Sequence, residues 1–162
     1  MDPFKECKTT IRERENCYQI LNKMDDFYLY ISSNDSANLF PGNNSSDFKL
    51  YLGKNIELKG EWKCGLKELY FYATSTLPSI LYITCDICER SYTENNYIPL
   101  LRRIVLPALD DAYNIEFADT YYKRVTEKEL TNITISIRGR GAGKHILSKV
   151  DPVLCVLHFK RV

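Results

Sequence analysis

From Asp26 onward, apolar side chains recur every second residue in short runs, the spacing that puts alternate residues on one face of a strand. Residues 27–31 (Phe-Tyr-Leu-Tyr-Ile) are aromatic and β-branched and end in the turn-forming run Ser32-Ser33-Asn34-Asp35-Ser36. Residues 40–46 read as a second loop. They lead into residues 48–52, where Phe48, Leu50 and Leu52 alternate with Lys49 and Tyr51. A short extension at residues 56–58 and a turn at Lys59-Gly60-Glu61 follow. The run from Trp62 to Tyr72 opens with alternating Trp62, Cys64 and Leu66, but its later half is apolar on both parities, which predicts a buried or sheet-switching strand. In residues 80–88, Leu81, Ile83, Cys85 and Ile87 share one parity. Residues 89–97 are polar and read as a loop. Residues 97–106 read as extended, bounded by Pro99 and Pro107. Residues 113–117, 121–125, 132–137 and 152–159 are further strands, with Gly139-Arg140-Gly141-Ala142-Gly143 as a flexible loop before the last.

Residues 1–25 have a different texture. Lys5, Lys8, Arg12, Arg14 and Lys23 balance Asp2, Glu6, Glu13, Glu15 and Asp25, and Ile11, Tyr18, Leu21 and Met24 fall at helical spacing. This predicts an arm, or a short helix that forms on docking, with Ile11, Tyr18 and Leu21 as its contacts; a frayed terminus fits the same residues. Eight to nine strands after residue 25, separated by regular turn signals and without a long helical pattern, predict an all-β fold. The expectation is an antiparallel two-sheet β-sandwich of jelly-roll type over residues 26–162, preceded by the arm at 1–25.

Composition narrows the function classes. At 162 residues the chain suits one domain and buries roughly 70% of its unfolded surface, enough for a core without disulfide or metal. Its formal charge of +1 argues against a chain-wide polyanion-binding surface. No apolar run reaches the ~20 residues of a membrane helix. Residues 1–8 contain no hydrophobic signal region, so the chain is expected to be made inside the cell and not secreted. The six cysteines (Cys7, Cys17, Cys64, Cys85, Cys88 and Cys155) are then expected to be reduced, and the Asn-x-Ser/Thr matches at Asn43, Asn44 and Asn132 to be chance.

Few residues suggest chemistry. Cys85-x-x-Cys88 has a metal-site spacing, but side chains three apart in a strand point to opposite faces, and Cys64, Cys155, His145 and His158 are isolated in sequence. Residues 139–144 imitate a phosphate loop, yet position 138 is Arg where Gly is required and His145 replaces Ser or Thr. Neither histidine sits in a nucleophile context, and His158 reads as a sheet-face residue. No catalytic, cofactor or metal site is predicted, which argues against an enzyme. The cations Arg138, Arg140, Lys144, Lys149, Lys160 and Arg161 face only Asp151 in the last 25 positions. They form a candidate contact patch for an acidic protein face or, more weakly, nucleic acid. Twelve tyrosines spread through the strands suit sheet faces and interfaces alike.

Several phrases carry a family likeness: residues 27–34, 40–48, Ile56-Glu57-Leu58-Lys59-Gly60-Glu61-Trp62, residues 81–87, 97–102, and the terminal Leu157-His158-Phe159-Lys160-Arg161. Together they resemble the single jelly-roll minor capsid (penton-like) structural proteins of Polinton/Maverick elements and adintovirus-like DNA viruses. The likeness covers residues 26–161; its most specific parts are the Gly-Glu-Trp and Leu-His-Phe phrases. It implies a capsid-associated role in the virion. The chain would self-associate, a pentamer being favoured over a trimer, and contact the major capsid protein without a cofactor. A trimeric spike or fibre-base attachment module, and a domesticated intracellular protein-binding sandwich, remain as alternatives.

Overall fold

In the computed structural model, residues 24–73, 78–106, 112–140, 147 and 151–162 are described, and among them the chain forms eleven strands. These are β1 (Asp26–Ser32), β2 (Asp47–Glu57), β3 (Trp62–Tyr72), β4 (Ile80–Cys85), β5 (Ser91–Thr93), β6 (Asn96–Ile98), β7 (Leu100–Val105), β8 (Ala112–Glu116), β9 (Lys123–Arg124), β10 (Glu129–Gly139) and β11 (Leu154–Arg161). One sheet has the order β1-β11-β3-β8, with β9 also on β3; the other has the order β2-β10-β4-β7. The antiparallel partners are nested along the chain: β1 with β11, β2 with β10, β3 with β8, and β4 with β7. A long hairpin whose two arms pair in this nested way, then rolls so that successive pairs alternate between sheets, is a jelly roll. The sandwich expected from the strand pattern is therefore the observed fold.

Alternation explains which faces meet. Phe27 and Ile31 of β1, Phe48 and Leu50 of β2, Ile133, Ile135 and Ile137 of β10, and Cys155, Leu157 and Phe159 of β11 all point inward and are buried. Phe159 is fully buried and stacks on Phe27 with ring centroids 4.6 Å apart, and Phe27 in turn lies 5.5 Å from Trp62, whose indole N–H donates to Lys59 O at 3.0 Å. Each such side chain contributes about 1.5–3 kcal/mol through burial.

Three strand readings need correction. Residues 69–72 are not buried on both parities. The pairing of β3 with β11 skips Lys67, a β-bulge that resets the alternation, so Leu66 and Leu69 are both buried while Tyr70 and Tyr72 face out. Residues 89–97 are not simply loop: β5 and β6 form a hairpin closed by Glu94 and Asn95, both with positive φ, as a two-residue turn of matching twist requires. Glu94 is held there by Tyr82 Oη, which donates to its carboxylate at 2.7 Å, and by Arg140 Nε at 3.0 Å. Gly139 is not loop either. It ends β10 opposite Leu81, and Pro78 occupies the place a Cβ would take.

Candidate assembly surfaces

The outward face of the β1-β11-β3-β8 sheet is set by the other parity of the same strands. Cross-strand register lines up Tyr28 with His158 and Gly65, then Tyr30 with Val156, Glu68 and Glu116, then Ser32 with Leu154, Tyr70 and Asn114. A solvent-facing sheet surface is ordinarily polar. Here Tyr28, Tyr30, Tyr72 and Leu154 are exposed, Tyr30 by 76%. Between Tyr30 and Tyr70, over Leu154 and Val156, lies a groove of about 520 Å³ that Asp35, Glu68 and Asn114 also line. Sheet-face tyrosines present large contact area with a polar rim, the composition that interfaces favour.

His158 anchors the next row. Its imidazole stacks on Tyr28 at 4.3 Å, its Nδ1 lies 2.7 Å from Tyr122 Oη and its Nε2 3.2 Å from Asp26 Oδ2. With Tyr122 O–H donating to Nδ1 and Nε2–H donating to Asp26, a neutral ring satisfies both nitrogens. Partial burial pushes the Tyr122 phenol upward. A second recess, beside this row, is lined by Tyr28, Lys67, Asp119, Thr120, Tyr121 and Tyr122. The sheet-face position expected for His158 is the one observed.

Inside the sandwich the fold assembles what the sequence separates. The turn after β4, closed by Cys88 N–H to Cys85 O at 3.0 Å, carries Cys88 back into the core instead of away from it. Cys64, Cys85 and Cys88 thus form one buried thiol cluster, unreadable from spacing because Cys64 arrives from the opposite sheet. Hydrogen bonds from the Cys64 and Cys85 thiols hold the Cys88 thiol below its ordinary value, against burial. Burial, chiefly, pushes Cys64 up, the bond to Cys88 together with burial pushes Cys85 up, and burial pushes Cys155 up to about 12. These four cysteines are free thiols, and no grouping among the described residues has a metal-binding arrangement.

The predicted basic residues do not converge. Arg138 pairs with Asp47 at 3.1 Å, and Arg140 with Glu94; both lie where β10 ends. Lys160 and Arg161 lie where β11 ends, opposite Lys63 and Trp62 of β3. Because β11 starts beside the end of β3 and finishes at its beginning, these two pairs occupy opposite ends of the sandwich. Lys144 and Lys149 lie outside the described residues, as do Ile11, Tyr18 and Leu21 of the predicted arm.

Among the described residues, the nested strands define a jelly roll whose notable surfaces are a tyrosine-rich sheet face and charged ends. Among solved structures it is similar to the mavirus penton protein: TM-score 0.60 at 6% identity, covering 85% of this chain and 100% of the penton chain. A weaker likeness joins it to VP2 of the infectious bursal disease virus subviral particle, with TM-score 0.29, 10% identity, and 84% of this chain against 33% of that one. No protein-family model and no curated protein matches the chain.

Proposed function

We propose that this chain is a minor capsid subunit of a virus or virus-derived element, a penton-like protein that forms a closed ring at five-fold vertices. The observation that carries this reading is the jelly roll itself, whose likeness takes in 85% of this chain and 100% of the mavirus penton chain. The fold that carries the β1-β11-β3-β8 and β2-β10-β4-β7 sheets is similar to that of the mavirus penton protein, at TM-score 0.60. The phrases resembling minor capsid proteins of Polinton/Maverick elements and adintovirus-like viruses support it from the sequence side. The physics is compatible: a sandwich presents unlike left and right flanks, and heterologous contacts between them bury both when the rotation closes.

In this reading the chain resides in the virion and works through contacts alone, without a cofactor. Its partners are further copies of itself and the major capsid protein of the same particle. Ile11, Tyr18 and Leu21 are its contacts to an adjacent capsomer. Lys160, in one cross-strand row with Lys63 and Arg124, and Arg161 next to it in β11 meet an acidic neighbour in preference to nucleic acid.

Native mass spectrometry of the purified full-length chain tests the ring. The expected species is five times the 18.9 kDa chain mass. A trimer as the sole assembly would overturn the vertex assignment in favour of a spike or fibre base. Imaging of particles from the same source should then place the chain on the five-fold axes.

A further inference from the structure

Every open sheet has two edge strands, and an unguarded edge invites a further strand. Among the described residues, three of the four sides of the two large sheets are guarded, β9 adding only two residues to the side that β8 forms. On β2, the Asn43 side chain bonds both Lys49 N–H and Lys49 O, at 2.9 and 2.7 Å, Ser36 Oγ accepts from Tyr51 N–H at 2.9 Å, and residues 52–55 break the register around Gly53, whose φ is positive. On β7, Arg102 and Arg103 follow Pro99, and the Arg102 guanidinium bonds Asp119 O at 2.8 Å and lies over the Phe117 ring. The third edge strand, β8, is five residues long and ends in Glu116.

The fourth edge strand, β1, carries such devices only at its ends, the carboxylate of Asp26 and the Asp35 contact to Ser32. Its seven residues include no lysine, arginine, proline or glycine, and its register with β11 runs without a shift. The hydrogen bonds at the flanking pairs, Arg161 N–H to Asp25 O and Ser33 N–H to Val153 O, put the odd-numbered residues on the β11 side. Asp26, Tyr28 and Tyr30 therefore aim N–H and C=O at the open side, and no backbone group among the described residues bonds them there. Ser32, next in line, is closed off by Asp35.

We propose that the free edge of β1 is a strand-addition site for an extended partner segment that carries lysine or arginine. Backbone groups of Asp26, Tyr28 and Tyr30 supply the affinity, as in strand addition generally. Charge selects the occupant. Asp35 stands exposed at one end of the strand and Glu68 across the Tyr30 row; at the other end Asp25 and Asp26 are exposed, but Lys160, Lys63 and Arg124 continue the Asp26 row, and Lys67 leans toward Glu116 at 4.0 Å, so the acidic part of the edge is the Tyr30–Asp35 end. A strand added about 4.8 Å from β1 places an outward lysine or arginine beside the Tyr30 ring, its stem on the aromatic face and its charge toward Asp35.

The test uses the full chain and three acetylated, amidated peptides: Thr-Lys-Val-Lys-Val-Thr, the same sequence with glutamate for lysine, and the lysine peptide with proline for its central valine. Amide hydrogen exchange and nitrogen–proton correlation spectra are read for Tyr28 and Tyr30. The lysine peptide should slow exchange at these two amides and bind about tenfold more tightly than the glutamate peptide, as expected for loss of one charge-assisted contact. The proline peptide should not protect them. Tyr30→Lys, at an exposed position, should leave the fold intact and weaken lysine-peptide binding about tenfold. Tyr30→Pro removes an outward N–H that β11 does not use and should abolish protection at Tyr28. Equal binding of the lysine and glutamate peptides, or shifts confined to another edge, would overturn the proposal. So would slow exchange of both amides in the peptide-free chain: independent of concentration, it would assign the edge to the chain's own amino-terminal segment; rising with concentration, to a second copy.

Discussion

Gly65 lies in the middle of β3, opposite His158, where the segment carrying Thr120, Tyr121 and Tyr122 crosses the outer face of the sheet. A Cβ placed there would stand 2.5 Å from Thr120 Cγ2, 2.9 Å from Tyr121 O and 3.3 Å from Tyr122 Cδ1. Since carbon atoms pack at about 3.5–4.0 Å, Gly65→Ala forces the crossing segment outward by about 1 Å. Overpacking of this kind costs about 1–3 kcal/mol. Against it stands the gain of roughly 0.5–1 kcal/mol from replacing glycine within a strand. The balance is a net loss of about 1–2 kcal/mol, or a fall in Tm of roughly 2–8 °C for a domain of this size. Thermal and urea unfolding measure it. Thr120→Ser removes the methyl group at 2.5 Å and leaves the carbonyl, so the double variant should recover about half of the loss. If Gly65→Ala matches or exceeds the parent in stability, or if Thr120→Ser and Gly65→Ala are simply additive, the close approach is not what requires glycine here.

Two further outcomes follow, one from a buried thiol and one from an exposed turn. Cys155, whose thiol is pushed up to about 12, stays protonated in the folded chain while the unfolded chain ionises near the ordinary value of 9.0. Its contribution is therefore fully present below pH 9.0 and is lost as pH rises toward 12; Cys155→Val should flatten the alkaline limb of a stability-versus-pH curve from urea midpoints. Glu94→Ala removes the acceptor for Tyr82 and Arg140, so a stability loss of about 0.5–1.5 kcal/mol and faster amide exchange across β5 and β6 are expected.

Strands with unbroken alternation were legible residue by residue. β8 and the Ile133, Ile135, Ile137 stretch of β10 face the core as their parity requires. Where a bulge intervenes, parity misleads: Lys67 shifts the frame of β3, and nothing in its side chain announces that. The β5–β6 hairpin escaped notice because its turn uses Glu94 and Asn95 where a readable turn would carry glycine, and because three-residue strands show no period. The surfaces were less legible than the fold. Arg138 and Arg161 look adjacent in a charge count, yet β10 and β11 belong to different sheets and deliver them to opposite ends. Thiol proximity depended on a turn and on sheet-to-sheet contact, neither of which has a one-dimensional signature. The tyrosines were visible as a composition; only register shows which of them line one face.

Nested pairing has a topological corollary. Because the first strand lies against the last, Asp25 and Arg161 touch through a backbone hydrogen bond, so a link from residue 162 to residue 24 needs little chain. The domain is therefore suited to circular permutation, with a new opening at the exposed Glu94-Asn95 turn, midway around the roll. It also means that polypeptides fused at both ends of the sandwich would leave from a single pole, while the pole holding Ser46, Ala73 and Val153 stays clear of them.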